Sequence, residues 1–265
     1  MKTLKGYNPP YKIPEYNTKI PFCNSKEKYL RSTRLCKSTD EKIIAMANKL
    51  GSFDLSSIEY VEAAFEFVSK SIKLRFVPIR GAAETLKTGY GSCYDQSSLF
   101  IALCRSAGVP ARFKIYRLEG YQPAFRQVIE EENETQLIEG LAILASVAVL
   151  TEIKVNGRWI ECDVVNSPEL SAASNTPLIR FGEDFMQWAI GTPVLIRHLE
   201  EIPLGMIFMS NIAFKLLKGI FDGHIRVSFE NLLDEGKKKL KKLGEKKYNE
   251  LARRSYRAIP VLEKK

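Results

Sequence analysis

The residues best able to do covalent chemistry are five cysteines, Cys23, Cys36, Cys93, Cys104 and Cys162. Their odd number, irregular spacing and lack of a CxxC pair argue against a disulfide framework. With only two histidines in the chain, His198 and His224, a zinc site is not suggested either. Cys93 stands apart. It follows a glycine turn at Gly89 and Gly91 and opens an apolar segment that reads as a helix from about Cys93 to Ala107, ended by Gly108 and Pro110. The free N–H groups and the dipole at a helix start favour a thiolate, and can lower a cysteine pKa by a unit or more from about 8.5. Position alone fits a buried core cysteine equally well. Cys104 and Cys162 read as small packing residues. The glycines do not make a phosphate loop, because no Lys-Ser/Thr follows at the required spacing.

A second constellation lies around Asn156-Gly157, a strong two-residue hairpin signal. That turn pairs Val155 with Arg158, Leu150 with Asp163 and Ala148 with Val165. Side chains alternate across a strand, so Val147, Val149, Ile153 and Val155 point into the core. Ala148, Leu150 and Glu152 point the other way, and Asp163 shares their side. Ala148 and Asp163 are then diagonal neighbours, roughly 5–8 Å apart. A histidine at 148 would reach Asp163, giving a base and its orienting acid. Position 148 is alanine.

The run Thr85-Leu86-Lys87-Thr88-Gly89-Tyr90-Gly91-Ser92-Cys93-Tyr94-Asp95, followed by Leu99, Leu103, Arg105 and Gly108 to Arg112, resembles the nucleophile segment of the transglutaminase-like superfamily. Glu152-Ile153, Gly157, Trp159 and Asp163 resemble its second half, in the same order and spacing. The resemblance covers about residues 60 to 167. It implies an α+β, papain-like core, with a nucleophile helix packed on an antiparallel sheet and a Cys-His-Asp triad acting on amides. Cys93 would be the nucleophile and Asp163 the orienting acid, while the base position falls on Ala148. An aromatic common in the family two residues later is Leu150 here. Tyr90 and Gly91 before the nucleophile, with Leu150, Glu152 and Trp159 on the hairpin, are candidates for contacting a peptide, protein or small amide substrate. No metal or organic cofactor is implied.

An imidazole base takes the thiol proton and later protonates the leaving amine. Alanine does neither, and losing a triad member commonly costs several orders of magnitude. Three readings stay open: an amidase or acyltransferase whose base has been replaced, a natural pseudoenzyme used for binding or scaffolding, or an enzyme with a base from elsewhere. For the last, only His198, His224, Glu152 or Glu161 are available. The expectation is thiol-based amide hydrolysis or acyl transfer through Cys93, weakened or silent in this chain, with the pseudoenzyme as the alternative.

The elements that must position these residues follow from patterning. A proline-bearing strap and a short helix capped by Thr39 or Asp40 fill residues 1–55. Ser56 with Glu59 forms a capping box for an amphipathic helix with Val61, Ala64, Phe65, Val68 and Ile72 inward. It opens a core expected over 56–170, with a short strand at Ile72–Val77 and another at Ala111–Arg117. An acidic excursion spans 118–146, around Glu130 to Glu134. A helical extension is expected over 171–236, with Phe185, Met186 and Trp188 as core residues, and a basic helical tail over 237–265.

The 265 residues carry a net charge of +9. From Lys237 to Lys265 there are 12 basic and 3 acidic residues, so the preceding 236 residues hold 28 of each and sum to zero. Basicity therefore describes the tail, which could meet an anionic partner and looks separable from the Cys93 site. No nucleic-acid motif accompanies it. No apolar run reaches about 18 residues and the start is polar, so neither a membrane span nor a secretory signal is expected. A reduced, cytoplasmic protein is the reading.

Overall fold

The structure, a computed structural model, describes residues 7–19, 21–118, 147–183, 193–216 and 226–257. Helix α1 (Glu41–Lys49) is capped by Asp40, whose carboxylate accepts from the Lys42 amide at 3.0 Å. In α2 (Ser57–Ser71) the Glu59 carboxylate reaches back to the Ser56 amide at 3.1 Å, the reciprocal half of the capping box. Val61, Ala64, Phe65 and Val68 are buried as their spacing predicts, and Ile72 just beyond the helix is buried too.

The strand expected from Ile72 shrinks to two residues, β1 (Lys73–Leu74), because its parallel partner β2 (Tyr90–Gly91) is itself only two long. Between them lies α3 (Ala82–Thr88), closed by Gly89 at φ 72° in the left-handed conformation. Ser92 then starts α4 (Cys93–Ser106), and every residue of α4 from Asp95 to Ser106 is buried.

A four-stranded antiparallel sheet receives α4. Its strands β3 (Ala111–Leu118), β4 (Val147–Val155), β5 (Arg158–Cys162) and β6 (Pro193–Leu199) run in the order β5-β4-β3-β6. The β4–β5 register runs from Val155↔Arg158 to Thr151↔Cys162, as the Asn156-Gly157 turn requires, with positive φ at both turn residues. Phe113, Ile115, Val149 and Ile153 pack with Leu99, Phe100 and Leu103 of α4 in one core. Arg112, Lys114, Tyr116, Ala148, Leu150 and Glu152 alternate with them onto the other face.

Arg105 is a fully buried charge within this core. Its guanidinium donates to the carbonyls of Tyr29, Arg31, Ala111 and Glu200. It thereby ties the N-terminal strap, the start of β3 and the chain after β6 to one helix. Arginine suits this role, since five N–H donors in a fixed fork can meet several carbonyls at once.

The C-terminal third departs from expectation twice. Residues 171–236 are not wholly helical, because β6 adds an edge strand beside β3. A short run between Pro193 and Pro203 rich in Val, Leu and Ile has too few residues for a stable helix and pairs instead. The tail is also not separable at residue 237. Helix α7 (Arg226–Leu243) runs through that point and lies on α5 (Pro168–Ala173). Gly236 permits the contact, since a Cβ there would stand 1.9 Å from the Glu169 carbonyl oxygen. Lys239 donates to the Ala172 and Ala173 carbonyls at the end of α5. From α8 (Glu245–Arg257), Tyr248 donates to Ser171 and Thr176, and Asn249 accepts from the Leu178 amide. The acidic excursion around Glu130 to Glu134, and Phe185, Met186 and Trp188, lie outside the described residues.

Burial raises the thiol pKa of Cys36 to about 12, and those of Cys104 and Cys162 also well above the ordinary 9.0. The folded state thus keeps protons that the unfolded chain releases above about pH 9. Stability is complete below that pH and falls as pH rises towards 12, by about 1.4 kcal/mol per pH unit for each thiol. Urea midpoints should therefore be flat from pH 7 to 8.5 and drop above 9; a midpoint unchanged at pH 10.5 would contradict the assignment.

Candidate functional site

The start of α4 is fixed by a carboxylate. Asp95 is fully buried, and one oxygen accepts from the amides of Arg80 and Gly81, both at 2.8 Å. Its second oxygen accepts from the Ser92 amide at 2.9 Å and the Ser92 hydroxyl at 2.8 Å. The sequence contains this capping arrangement as Ser92-Cys93-Tyr94-Asp95, with Asp at the position usually held by Glu or Gln. Burial raises the Asp95 pKa, and these four donors work against that rise. Gly91 is required beside it, because a Cβ there would stand 2.5 Å from Asp95 Cβ. The candidate contact residue Gly91 therefore has a packing role.

Cys93 is the first residue of α4 and is partly exposed. The expected depression of its pKa is not found. Burial pushes the thiol up to about 12; the Tyr94 and Cys93 amides favour the thiolate, but the Asp95 and Asp163 carboxylates oppose it. The helix start is present, yet burial and two nearby negative charges outweigh it. Cys93 also packs against a cluster of Leu74, Val165, Leu170, Phe229 and Leu232, so α7 supplies part of its surroundings.

Asp163 lies immediately beyond the last paired residue of β5, near enough for its charge to act on Cys93. One of its oxygens accepts from the Val165 amide at 3.0 Å and from the Asn166 amide, and the other from the Asn166 side chain at 2.6 Å. It therefore holds the turn that leads into α5, a role that needs no base. Ala148 is buried and pairs with Tyr116 of β3. The Tyr116 hydroxyl donates to Glu161 of β5 at 3.3 Å. Since β4 separates β3 from β5, the phenol crosses β4 on the face that carries Ala148.

The remaining candidates divide between two places. Tyr90 lies in β2 just before Cys93, buried, with the Arg80 guanidinium 4.7 Å from its ring centroid and Tyr7 edge-on at 6.2 Å. Leu150 is buried on the face of Ala148. Glu152 and Trp159 belong to a charged cluster nearer the hairpin turn. Glu152 pairs with Arg112 at 2.7 Å, Lys114 at 3.4 Å and His198 at 3.3 Å, while Lys114 also pairs with Glu161. Arg112 lies 3.9 Å over the Trp159 ring. Burial and Arg112 lower the His198 pKa. His198 is thus engaged with Glu152, and His224 lies outside the described residues. Among the described residues no cluster of His, Cys, Asp or Glu is arranged to hold a metal ion. Asp95 and Tyr116 are the residues whose roles sequence reasoning missed; the Ser92–Asp95 spacing signalled the first, and nothing local signalled the second.

Asp95→Ala would strand the buried amides of Arg80, Gly81 and Ser92. At about 1–3 kcal/mol for a stranded buried group, the expected loss is about 3 kcal/mol or more in urea unfolding. A loss under 1 kcal/mol would show that Asp95 does not fix the helix start.

No curated protein matches the chain. The chain is similar to a protein of known crystal structure from Cytophaga hutchinsonii, provisionally assigned there as a cysteine protease, with 19% identity and a TM-score of 0.40. That similarity covers 64% of this chain and 52% of the other, so the chain spans about half the length of that protein. Among the described residues no helix is long and apolar enough to cross a membrane. Residues 44–164, which contain Cys93, Ala148 and the whole hairpin through Asp163, match the model of the transglutaminase-like superfamily.

Proposed function

We propose that this chain keeps the transglutaminase-like scaffold as a binding module for peptide, protein or small amide ligands and does not turn them over through a triad. The observation that carries this reading is the alanine at position 148 of β4, with Tyr116 paired opposite it on β3. Alanine there offers no group that could take the thiol proton or return one to a leaving amine. Two further observations agree. Burial and the Asp95 and Asp163 carboxylates push the Cys93 thiol pKa up, which favours the neutral sulfur. Asp163 accepts from the Val165 amide and the Asn166 side chain, which gives it a structural role at the turn into α5.

A weakened cysteine enzyme is the second reading, and the partial exposure of Cys93 at a helix start favours it. Slow acyl transfer to such a thiol would need no more than a small thiolate fraction, but amide cleavage also needs a proton for the leaving nitrogen.

The two readings separate in one experiment. Ala148→His should remain without Cys93-dependent hydrolysis or transamidation across a broad amide panel, because burial and the Asp95 and Asp163 carboxylates still oppose the thiolate. The unaltered chain should alkylate with iodoacetamide at a rate that climbs above pH 9 without a plateau near neutrality. Turnover by Ala148→His that Cys93→Ala abolishes would overturn the proposal. So would turnover by the unaltered chain that His198→Ala or His224→Ala stops.

A further inference from the structure

Helix α6 (Leu204–Leu216) is apolar on both sides. Its inward side follows i, i+4, i+7 spacing. Ile207 enters the main core, Asn211 accepts from the Ile79 amide at 2.7 Å, and Phe214 packs on the cluster around Phe229. Its outward side carries Leu204, Phe208, Met209 and Leu216, exposed at 68%, 65%, 65% and 78%. A Cβ added at Gly205 on the same side would meet no atom within 4 Å. A helix that is hydrophobic all round ordinarily has a partner on every side. An exposed apolar face of this density marks an interaction surface.

A basic surface lies on the two helices that follow it in the chain. Helix α7 docks on the same stretch of chain as α6: Glu230 pairs with Arg75 at 3.0 Å and Phe229 stacks edge-on against Phe76, while Asn211 of α6 binds Ile79. The inward side of α7 is set by Phe229, Leu232 and Gly236. Lys237, Lys238, Lys241 and Lys242 are exposed, and Lys246 and Lys247 continue the surface on α8. The molecule's entire excess positive charge lies in the tail to which these lysines belong.

We propose that the outward side of α6 and the lysines of α7 and α8 form a docking surface for an anionic lipid membrane. Thirteen residues give a helix about 20 Å long, which lies at an interface and does not span a bilayer. Leu204, Phe208 and Met209 enter the headgroup boundary, and the lysines meet lipid phosphates, each adding attraction that salt screens. The charge selects this partner over the alternatives. A second copy docked through α6 would bring two lysine-rich helices together. A nucleic acid would neutralise the lysines and leave the apolar side of α6 in water.

The test is flotation of the full chain with phosphatidylcholine vesicles, with and without phosphatidylglycerol. The chain should float at least about tenfold more with the anionic vesicles. Phe208→Glu combined with Met209→Glu should lose about tenfold or more of that binding, as should charge reversal of Lys237, Lys238, Lys241 and Lys242. Phe208→Trp keeps the question answerable even if a charged variant misfolds, since its emission should shift to the blue when anionic vesicles are added. Absence of flotation, equal flotation with neutral vesicles, or an unshifted Phe208→Trp emission would overturn the proposal. Dimerisation that Phe208→Glu abolishes, without vesicle binding, would assign the face to a second copy. Oligonucleotide binding without flotation would assign the lysines to nucleic acid. Either result also overturns it.

Discussion

Helix α4 is surrounded by protein from Asp95 to Ser106, and two of its side chains carry charge there. A buried charge is tolerated only when its hydrogen bonds are made inside the protein. Asp95 at one end collects four donors from Arg80, Gly81 and Ser92. Arg105 at the other end reaches four separate carbonyls. Opposite signs also suit the two ends of the helix dipole. Much of the architecture follows from serving these two groups: the turn before α3, the strap around Tyr29 and Arg31, and the return of the chain at Glu200.

The same burial determines what Cys93 can do. A helix N-terminus is a good place for a thiolate only where water or a positive charge shares the work. Here the first turn lies beside Asp95 and within reach of Asp163, and α7 adds phenylalanine and leucine to the surroundings. The helix opened by Cys93 and the β4–β5 hairpin both lie within the segment that matches the family model. Its local electrostatics favour the neutral sulfur, and the hairpin face that carries Ala148 also carries the Tyr116 hydroxyl bonded to Glu161. Scaffold and chemistry are separable properties of a fold.

What was legible in the sequence was local. The Asn156-Gly157 turn fixed a register that holds to Cys162, Gly108 and Pro110 marked the end of α4, and Ser56 with Glu59 marked the start of α2. Cys93 was correctly placed at a helix start. Its protonation state was not legible, because burial and the carboxylate of Asp163, seventy residues away in the chain, decide it. Strand β6 was missed because its edge position depends on β3, and a run of Val, Leu and Ile beside proline has no period of its own. Glu152 and Trp159 looked like neighbours of the nucleophile through the resemblance alone. Their partners Arg112, Lys114 and His198 come from β3 and β6, and no spacing in the sequence announces that meeting. The tail looked separable because charge was its most visible property, whereas Gly236 and Tyr248 carry the contacts that dock it.

The Arg105 clasp has a consequence for the order in which the chain can fold. Its carbonyl partners lie 76 residues upstream at Tyr29 and 95 residues downstream at Glu200. Helix α4 can form early from local bonds, but its guanidinium has no complete set of acceptors until the chain around Glu200 arrives. On a ribosome, where the chain emerges from its N-terminus, the helix that carries Cys93 would wait with a charged end unsatisfied until more than three quarters of the sequence had been made. Closure over such separations is slow. Completion of the core is therefore tied to the arrival of its late-made segments, and a chain truncated before Glu200 would lack one of the four carbonyls that fasten α4 in place.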